Sequence, residues 1–442
     1  MKKLRIAWFS PLNVSNNNTQ NISAYVSDTL LPLLKDRFEI DLFHDSFEKY
    51  PDFPTYHFLQ ASLRHAENPY DIFFYQLEDS LAVNFIRIHL GIIPGMSLFH
   101  NIEFSTDGPE PILITPWQAV VAKYNNPAKE WHDRLLFFDK ISSLAHRELA
   151  FSIQPIFSSL DDIYSVNTIL GNRDLFLSDT SSPLYLPIPV KDFSKANCDF
   201  QGLKIAFVGE PKTSYRIHKV LTTFEKYEGK KEFHWLINAD EVSQAEENLR
   251  EYIGKDWNKT VFLHYGRSTQ NWNELVKSCN VAIHTYFGSY GNVSPYLQIS
   301  LAHNVPAIVS NYAISNTLPE KMVYKVEVGD FETAEILEVL NHLQNTNRNE
   351  FNLNQMAREH FDAGAVADSL SLLFTDMAPK FREVYKKWGE IQKDAREFLI
   401  NEIKEDTVIT GKSLSKDNDL SNPIYAWEKA FRPVMQELGW LK

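Results

Sequence analysis

The sequence predicts an α/β protein of two halves, each a mostly parallel sheet with helices on both faces, on three observations. Short apolar runs of strand length alternate with stretches whose apolar residues recur at helical spacing. Such alternation calls for parallel strands joined by covering helices. Midway, a polar segment, Lys191–Gly202 (KDFSKANCDFQG), interrupts the pattern, which then restarts.

Leu4–Ser10 is an apolar run bounded by Pro11, and Ile22–Leu34 carries Ile22, Tyr25, Val26, Leu30, Leu33 and Leu34 at helical spacing. A second strand at Phe38–Phe43 completes a βαβ opening. Further strands are expected at Asp71–Gln76, Met96–His100, Phe151–Phe157 and Leu184–Ile188, which makes residues 1–190 an N-terminal Rossmann-like domain. After the linker 191–202, Leu203–Val208, a Gly209 turn and a helix through Phe224 open a second Rossmann-like domain, 203–405. Its later strands are expected at Phe233–Ile237, Thr260–His264, Val281–His284, Ala307–Ser310 and Val323–Val328, followed by helix from about Gln355 to Glu405. A polar, flexible segment, 406–422, and an amphipathic helix, 423–442, with Trp427, Phe431 and Trp440 close the chain; that helix is expected to pack back across the first domain. In such sheets ligands sit at the carboxyl ends of the strands, here in a cleft between the halves.

Composition narrows the function classes. At 442 residues the chain has material for two or three cores, and 44% hydrophobic against 23% charged residues places it among folded globular proteins. The net charge of −13 disfavours a general nucleic-acid binder, while leaving room for a local basic pocket that holds one diphosphate. Cys198 and Cys279 are the only cysteines, in neither a CxxC nor a His cluster, so a disulfide framework and a thiolate metal site lack material. A reducing cytoplasm fits this usage. The start, MKKLRIAWFSPL, reads as a strand rather than an export signal, and Leu81–Phe99 is interrupted by Asn84, Arg87, His89, Gly91 and Pro94, so membrane association is peripheral at most.

Several segments read together carry a resemblance: RIAWFSPL, YDIFFYQLEDS, MSLFHNIEF, YLPIPV, KIAFVGEP and above all CNVAIHTYFGSYGNVSPYLQISLAHNVPAIVSN. The chain resembles the bacterial glycosyltransferases of family 4 type. The resemblance implies the GT-B fold, two Rossmann-like domains facing each other across a cleft, with C-terminal helices packing back on the first. It implies a retaining, metal-independent transfer of a sugar from a nucleotide-sugar co-substrate to a glycan or lipid-linked acceptor, with no cofactor, in surface polysaccharide or glycoconjugate synthesis. Such an enzyme works in the cytoplasm or at the inner face of the membrane.

In that chemistry negative charge builds on the leaving diphosphate, so helix N-termini and basic side chains are the groups to look for. The candidates are Gly209, Lys212 and Arg216 in VGEPKTSYR, and the loop Gly291, Asn292, Val293 and Ser294 before a helix. The bland alternatives are that Lys212 and Arg216 decorate a solvated helix start and that Ser294 is an N-cap before Pro295. Arg267, after TVFLHYG, is a weaker candidate. By the resemblance His100 approaches the donor sugar as the catalytic-site histidine, with Glu103 as a carboxylate contact; otherwise a lone His is a satisfied core residue. Tyr286, Phe287, Tyr290 and Tyr296 cluster near the donor loop, and Tyr286 and Tyr290 are candidates to stack on sugar or base.

The chain departs from the family where relatives carry two glutamates. The first falls on Asn292 or Gly291 and the second, which accepts hydrogen bonds from the nucleotide ribose, on Ile299, which accepts none. Tyr286 stands where relatives have a basic residue, and glycine is sparse, at 16 residues, for a phosphate-cradling protein. These departures leave two leading function classes, a divergent glycosyltransferase or a non-catalytic GT-B subunit that partners an active enzyme or binds a glycan, with other GT-B chemistry such as nucleotide-sugar epimerisation behind them, since it needs cleft carboxylates or histidines that the sequence does not identify.

Overall fold

A computed structural model of the chain describes residues 3–12, 21–46, 48–102, 146–163, 183–195, 198, 201–287, 294–312, 314–344 and 352–410. The first sheet comprises β1 (Arg5–Phe9), β2 (Glu39–His44), β3 (Thr55–His57), β4 (Ile72–Leu77), β5 (Gly95–Phe99), β6 (Ser152–Phe157) and β7 (Leu184–Tyr185). They lie in the order β3-β2-β1-β4-β5-β6-β7, every pairing parallel. The second sheet comprises β8 (Leu203–Val208), β9 (Lys231–Ile237), β10 (Val261–Tyr265), β11 (Val281–His284), β12 (Ala307–Ser310) and β13 (Tyr324–Val326). Its order is β10-β9-β8-β11-β12-β13, again parallel throughout.

Every residue of β1, β4, β5 and β6 is buried, as strands covered on both faces must be. The covering helices of the first unit are α1 (Ile22–Leu34), α2 (Ala61–Glu67), α3 (Asn84–Leu90) and α4 (His146–Phe151). The second has α5 (Ile217–Lys226), α6 (Val242–Tyr252), α7 (Thr269–Lys277), α8 (Pro295–Ala302), α9 (Ile314–Thr317), α10 (Glu332–Gln344) and α11 (Leu353–Phe361). The long α12 (Ala363–Thr410) follows directly.

The two units are tied where the chain passes between them twice. Val190 N–H donates to the Phe361 carbonyl at 2.7 Å, and Ala363 N–H donates back to the Val190 carbonyl at 3.0 Å. Helix α1 adds a bridge, since the Tyr25 hydroxyl donates to the Pro189 carbonyl at 2.9 Å and its ring packs against the core of the second unit.

Beyond that crossing α12 returns over the first sheet. Val366, Ala367, Leu370, Phe374 and Phe381 are buried in one cluster with Trp8, Phe73 and Phe74. Phe374 meets Phe38 and Phe74 edge-on, with ring centroids 5.5 and 5.4 Å apart. The Tyr385 hydroxyl accepts a hydrogen bond from Phe73 N–H in β4 at 2.9 Å. C-terminal helix thus packs on the first unit as expected, through α12; residues 423–442, expected to do so, lie outside the described residues. Two local differences remain. The edge strand β3 was not legible because its three residues are half-buried and show no alternation. Residues 406–410, expected to be flexible, are the last turn of α12, and 411–422 lie outside the described residues.

Removing Phe374 by Phe374→Ala is expected to cost about 3–5 kcal/mol of stability in urea unfolding. Tyr385→Phe, which leaves the Phe73 N–H without its acceptor, is expected to cost about 1–3 kcal/mol. Leu372→Ala, at an exposed position of the same helix, should stay within about 0.5 kcal/mol.

Candidate functional site: a cavity at the carboxyl ends of both sheets

A cavity of about 150 Å³ opens between the carboxyl ends of β8 and β11, the N-terminus of α8 and Ile22 at the start of α1. Its floor is set by Gly209. A Cβ there would lie 2.5 Å from the Tyr215 ring, so the glycine is what lets Tyr215 lie over the end of β8. Trp235 Nε1 donates to the Gly209 carbonyl at 2.9 Å and fixes the turn. The segment after β11 is clamped to the same turn, with Thr285 Oγ1 donating to the Tyr215 carbonyl at 3.0 Å and Phe287 N–H to the Ser214 carbonyl at 2.7 Å. This sets Tyr286 edge-on to Tyr215, ring centroids 5.2 Å apart, on the cavity wall.

Among the described residues Arg267 is the only lysine or arginine lining the cavity. It follows the positive-φ Gly266 at the end of β10, and its backbone N–H donates to Asn238 Oδ1 at 3.2 Å. Its Nη2 donates to Glu241 Oε1 at 2.8 Å and lies 3.8 Å from Glu210 Oε1, while its Nε is buried without a partner. Two carboxylates therefore aim the guanidinium and leave one N–H unused. Ser294 stands at the N-cap of α8 with Pro295 next, and its hydroxyl makes no capping hydrogen bond, so this side chain does not compete for the N–H groups of the first turn. One turn along α8, Gln298 also lines the cavity; it is buried and its Oε1 has no partner.

The other predicted residues lie elsewhere. Arg216 was expected to face the diphosphate, but its guanidinium turns to the fully buried Glu332, with Nε donating to Oε2 at 3.0 Å and Nη2 to Oε2 at 2.5 Å. An unpaired carboxylate at that depth would be costly, so Arg216 is held by the core of its own unit rather than by the cavity. Lys212 is largely exposed and pairs with Glu210, which holds its pKa above the usual range; it does not line the cavity. Glu103, Tyr290, Gly291, Asn292 and Val293 lie outside the described residues.

His100, expected to reach the donor sugar, is fully buried after β5. With the Gln76 amide oriented so that its carbonyl accepts from Ser27 Oγ at 2.7 Å, its NH₂ donates to His100 Nε2 at 3.0 Å and to the Ser23 carbonyl at 3.2 Å. His100 Nδ1 then donates to Ser158 Oγ at 2.9 Å. Both ring nitrogens are engaged within the first unit, and burial pushes the imidazole pKa down to about 3. The same edge holds a residue that sequence reasoning passed over. Glu78, directly after β4, is buried, and its Oε2 accepts from the backbone N–H groups of Ile22 at 2.8 Å and Ser23 at 3.2 Å. Burial pushes its pKa up to about 7 against those two hydrogen bonds.

Two parallel sheets with helices on both faces and a cavity between the units give the architecture of the GT-B fold, and comparison with solved structures bears this fold out. A sucrose-phosphate synthase from Thermosynechococcus elongatus superposes with a TM-score of 0.61 at 13% identity, covering 85% of this chain and 99% of that one. The HepE protein of Anabaena, solved with UDP and glucose, gives 0.57 at 11% identity, covering 84% and 100%. The lipopolysaccharide outer core galactosyltransferase WaaB gives 0.52 at 11%, covering 86% and 100%. No protein-family model and no curated protein sequence matches the chain. At these identities the likeness is one of fold. Among the described residues no helix is long and apolar enough to cross a membrane.

His100 is expected to stay neutral across the physiological range: its imidazole resonances should not titrate between about pH 5 and pH 8 by NMR. Glu78 carries the opposite sign. Its folded pKa of about 7 lies above the ordinary 4.5, so the folded state loses stability as pH rises between those values. Relative to wild type, Glu78→Gln should therefore gain stability over that window, by roughly 3 kcal/mol at most above it, in urea unfolding at a series of pH values.

Proposed function

We propose that this chain is a glycosyltransferase that binds a nucleotide-sugar donor in the cavity and transfers the sugar to a glycan or lipid-linked acceptor held against the first unit. The observation that carries this reading is the pairing of Arg267, one N–H unused, with the uncapped N-terminus of α8 in one cavity. A leaving diphosphate gathers negative charge as its bond to the sugar breaks, and preorganised N–H groups and a fixed cation stabilise that charge without reorganising. Neighbours of the same fold have been solved with UDP and with UDP-glucose, which supports a donor of that chemical kind. The reaction is read as retaining and metal-independent, and Arg267 takes the place that Arg216 and Lys212 were expected to fill.

The nucleotide ribose lacks its glutamate acceptor, since Ile299 is buried in the core behind α8. Gln298 is the neighbouring residue with a free carbonyl oxygen on the cavity side, and it is read as accepting from a ribose hydroxyl. Tyr215 and Tyr286 offer aromatic faces for a base or sugar. The second reading, a non-catalytic subunit, is favoured by one observation: Arg216, the stronger basic candidate in sequence, is committed to Glu332.

Thermal-shift and calorimetric titration with UDP, GDP, ADP, CMP and dTDP and their sugar conjugates test the two readings. One nucleotide class should stabilise the chain, by about 2.7 kcal/mol at a hundredfold excess over Kd. Arg267→Ala should weaken that binding by roughly 10- to 100-fold, the loss of a charge-assisted hydrogen bond. Binding of no nucleotide would reject the transferase reading in favour of a silent subunit.

A further inference from the structure

Arg216 sits at a left-handed corner, φ 56° and ψ 19°, one of three non-glycine residues with positive φ among the described residues. Glycine is the default residue for such a corner, since a Cβ makes the conformation costly. The corner joins two parts of the second unit. On one side the Arg216 N–H donates to the Thr213 carbonyl at 3.0 Å and closes the turn Thr213–Tyr215; on the other its carbonyl accepts from Lys219 N–H at 2.9 Å and starts α5. The guanidinium then ties the corner to α10, whose first residue is Glu332, with Nε and Nη2 both donating to the one carboxylate. A left-handed residue with a side chain persists where its surroundings over-determine it, and such residues gather at ligand sites. What hangs on this corner is the cavity wall. The carbonyls of Ser214 and Tyr215, the two residues before it, accept from Phe287 N–H and Thr285 Oγ1, and between Thr285 and Phe287 lies Tyr286, edge-on to Tyr215. Both rings line the cavity; Arg216 does not.

We propose that Arg216 is a positioning residue: its ion pair with buried Glu332 holds the left-handed corner that presents the Tyr215 and Tyr286 rings to the donor, so that Arg216 governs binding without touching the ligand. A buried ion pair is a poor source of stability beside apolar residues of the same volume, and its use here is to fix one backbone conformation. The fork of the guanidinium is essential to that use, because a lysine ammonium cannot place two donors on one carboxylate in this geometry. The rival assignment is a direct phosphate contact by Arg216. The two differ in sign once Glu332 loses its charge: a released guanidinium would draw an anion in, whereas an unpinned corner loosens the wall. The proposal deepens the donor reading and rests on it, since Tyr215 and Tyr286 meet a ligand only if a donor occupies the cavity.

The full chain is titrated by calorimetry with the nucleotide that stabilises it, and backbone hydrogen exchange is followed over residues 285–287. Glu332→Gln keeps a carbonyl oxygen beside Arg216 and removes the charge; it should weaken the nucleotide about tenfold and speed exchange of the Phe287 amide by about as much, and Arg216→Lys should do the same. Tyr286→Ala should weaken the nucleotide about tenfold and leave Glu332→Gln with no further effect in the double variant, a non-additivity that a merely structural pair would not produce. Arg216→Gly alone strands a buried carboxylate, so it is combined with Glu332→Leu. That variant takes the corner freely, carries no charge into the core, and should fold yet still bind the nucleotide about tenfold more weakly. The idea is overturned by tighter nucleotide binding in Glu332→Gln, by additive effects of Tyr286→Ala and Glu332→Gln, by unchanged Phe287 exchange, or by wild-type affinity in Arg216→Gly with Glu332→Leu. Failure of wild type to bind any nucleotide would instead reject the donor reading; Phe287 exchange in the variants then decides whether the pair holds the wall.

Discussion

Parallel strands covered on both faces leave a protein one edge on which to do chemistry. Their backbone amides are tied up in the ladders and their side chains are buried, so polar groups able to meet a ligand collect where the strands end and the helices begin. In this chain both sheets obey the constraint. The first ends in Ser10, Glu78, His100 and Ser158, all buried, and the second in Gly209, Arg267 and Thr285. The two edges differ in kind. At the first, His100 and Ser158 are satisfied from within through Gln76 while Glu78 Oε1 is buried without a partner; at the second, Arg267 Nε and Gln298 Oε1 are buried without partners, and both residues line the cavity.

Charge placement follows the same division. A chain with 44 basic and 57 acidic residues has no general attraction for a diphosphate, so any such site must be made locally. The second unit makes it by pointing Arg267 with Glu241 and Glu210, which fix its direction and also lower its net field. An anion would be recognised there by geometry and by the α8 N–H groups together rather than by excess positive charge. The Arg216–Glu332 pair is the contrasting use of a cation: the same residue type, after β8 rather than β10, closes a core instead of opening a site.

The fold was legible because apolar periodicity fixes buried strands and amphipathic helices locally: β1, α1, β8 and β11 fall within a residue or two of where their patterns place them. The cavity was half legible. Gly209, Ser294 and Tyr286 do line it, and their loops could be recognised from local sequence. Direction was not. Whether Arg216 faces the cleft is decided by Glu332, 116 residues away, and whether His100 does is decided by Gln76 and Ser158 on neighbouring strands. Arg267 carried one faint signal, an arginine directly after a strand and a glycine. Gln298 and Glu78 carried none, since what marks each is a missing partner in three dimensions.

The double crossing at Val190 and Phe361–Ala363 means that α12 is joined in sequence to the second unit yet completes the core of the first. During synthesis the first unit emerges long before Val366–Tyr385, so Phe38, Phe73 and Phe74 keep one face uncovered until α12 has been made. Closure of the first core therefore follows synthesis of the second unit, and until then part of its apolar face is exposed in the nascent chain.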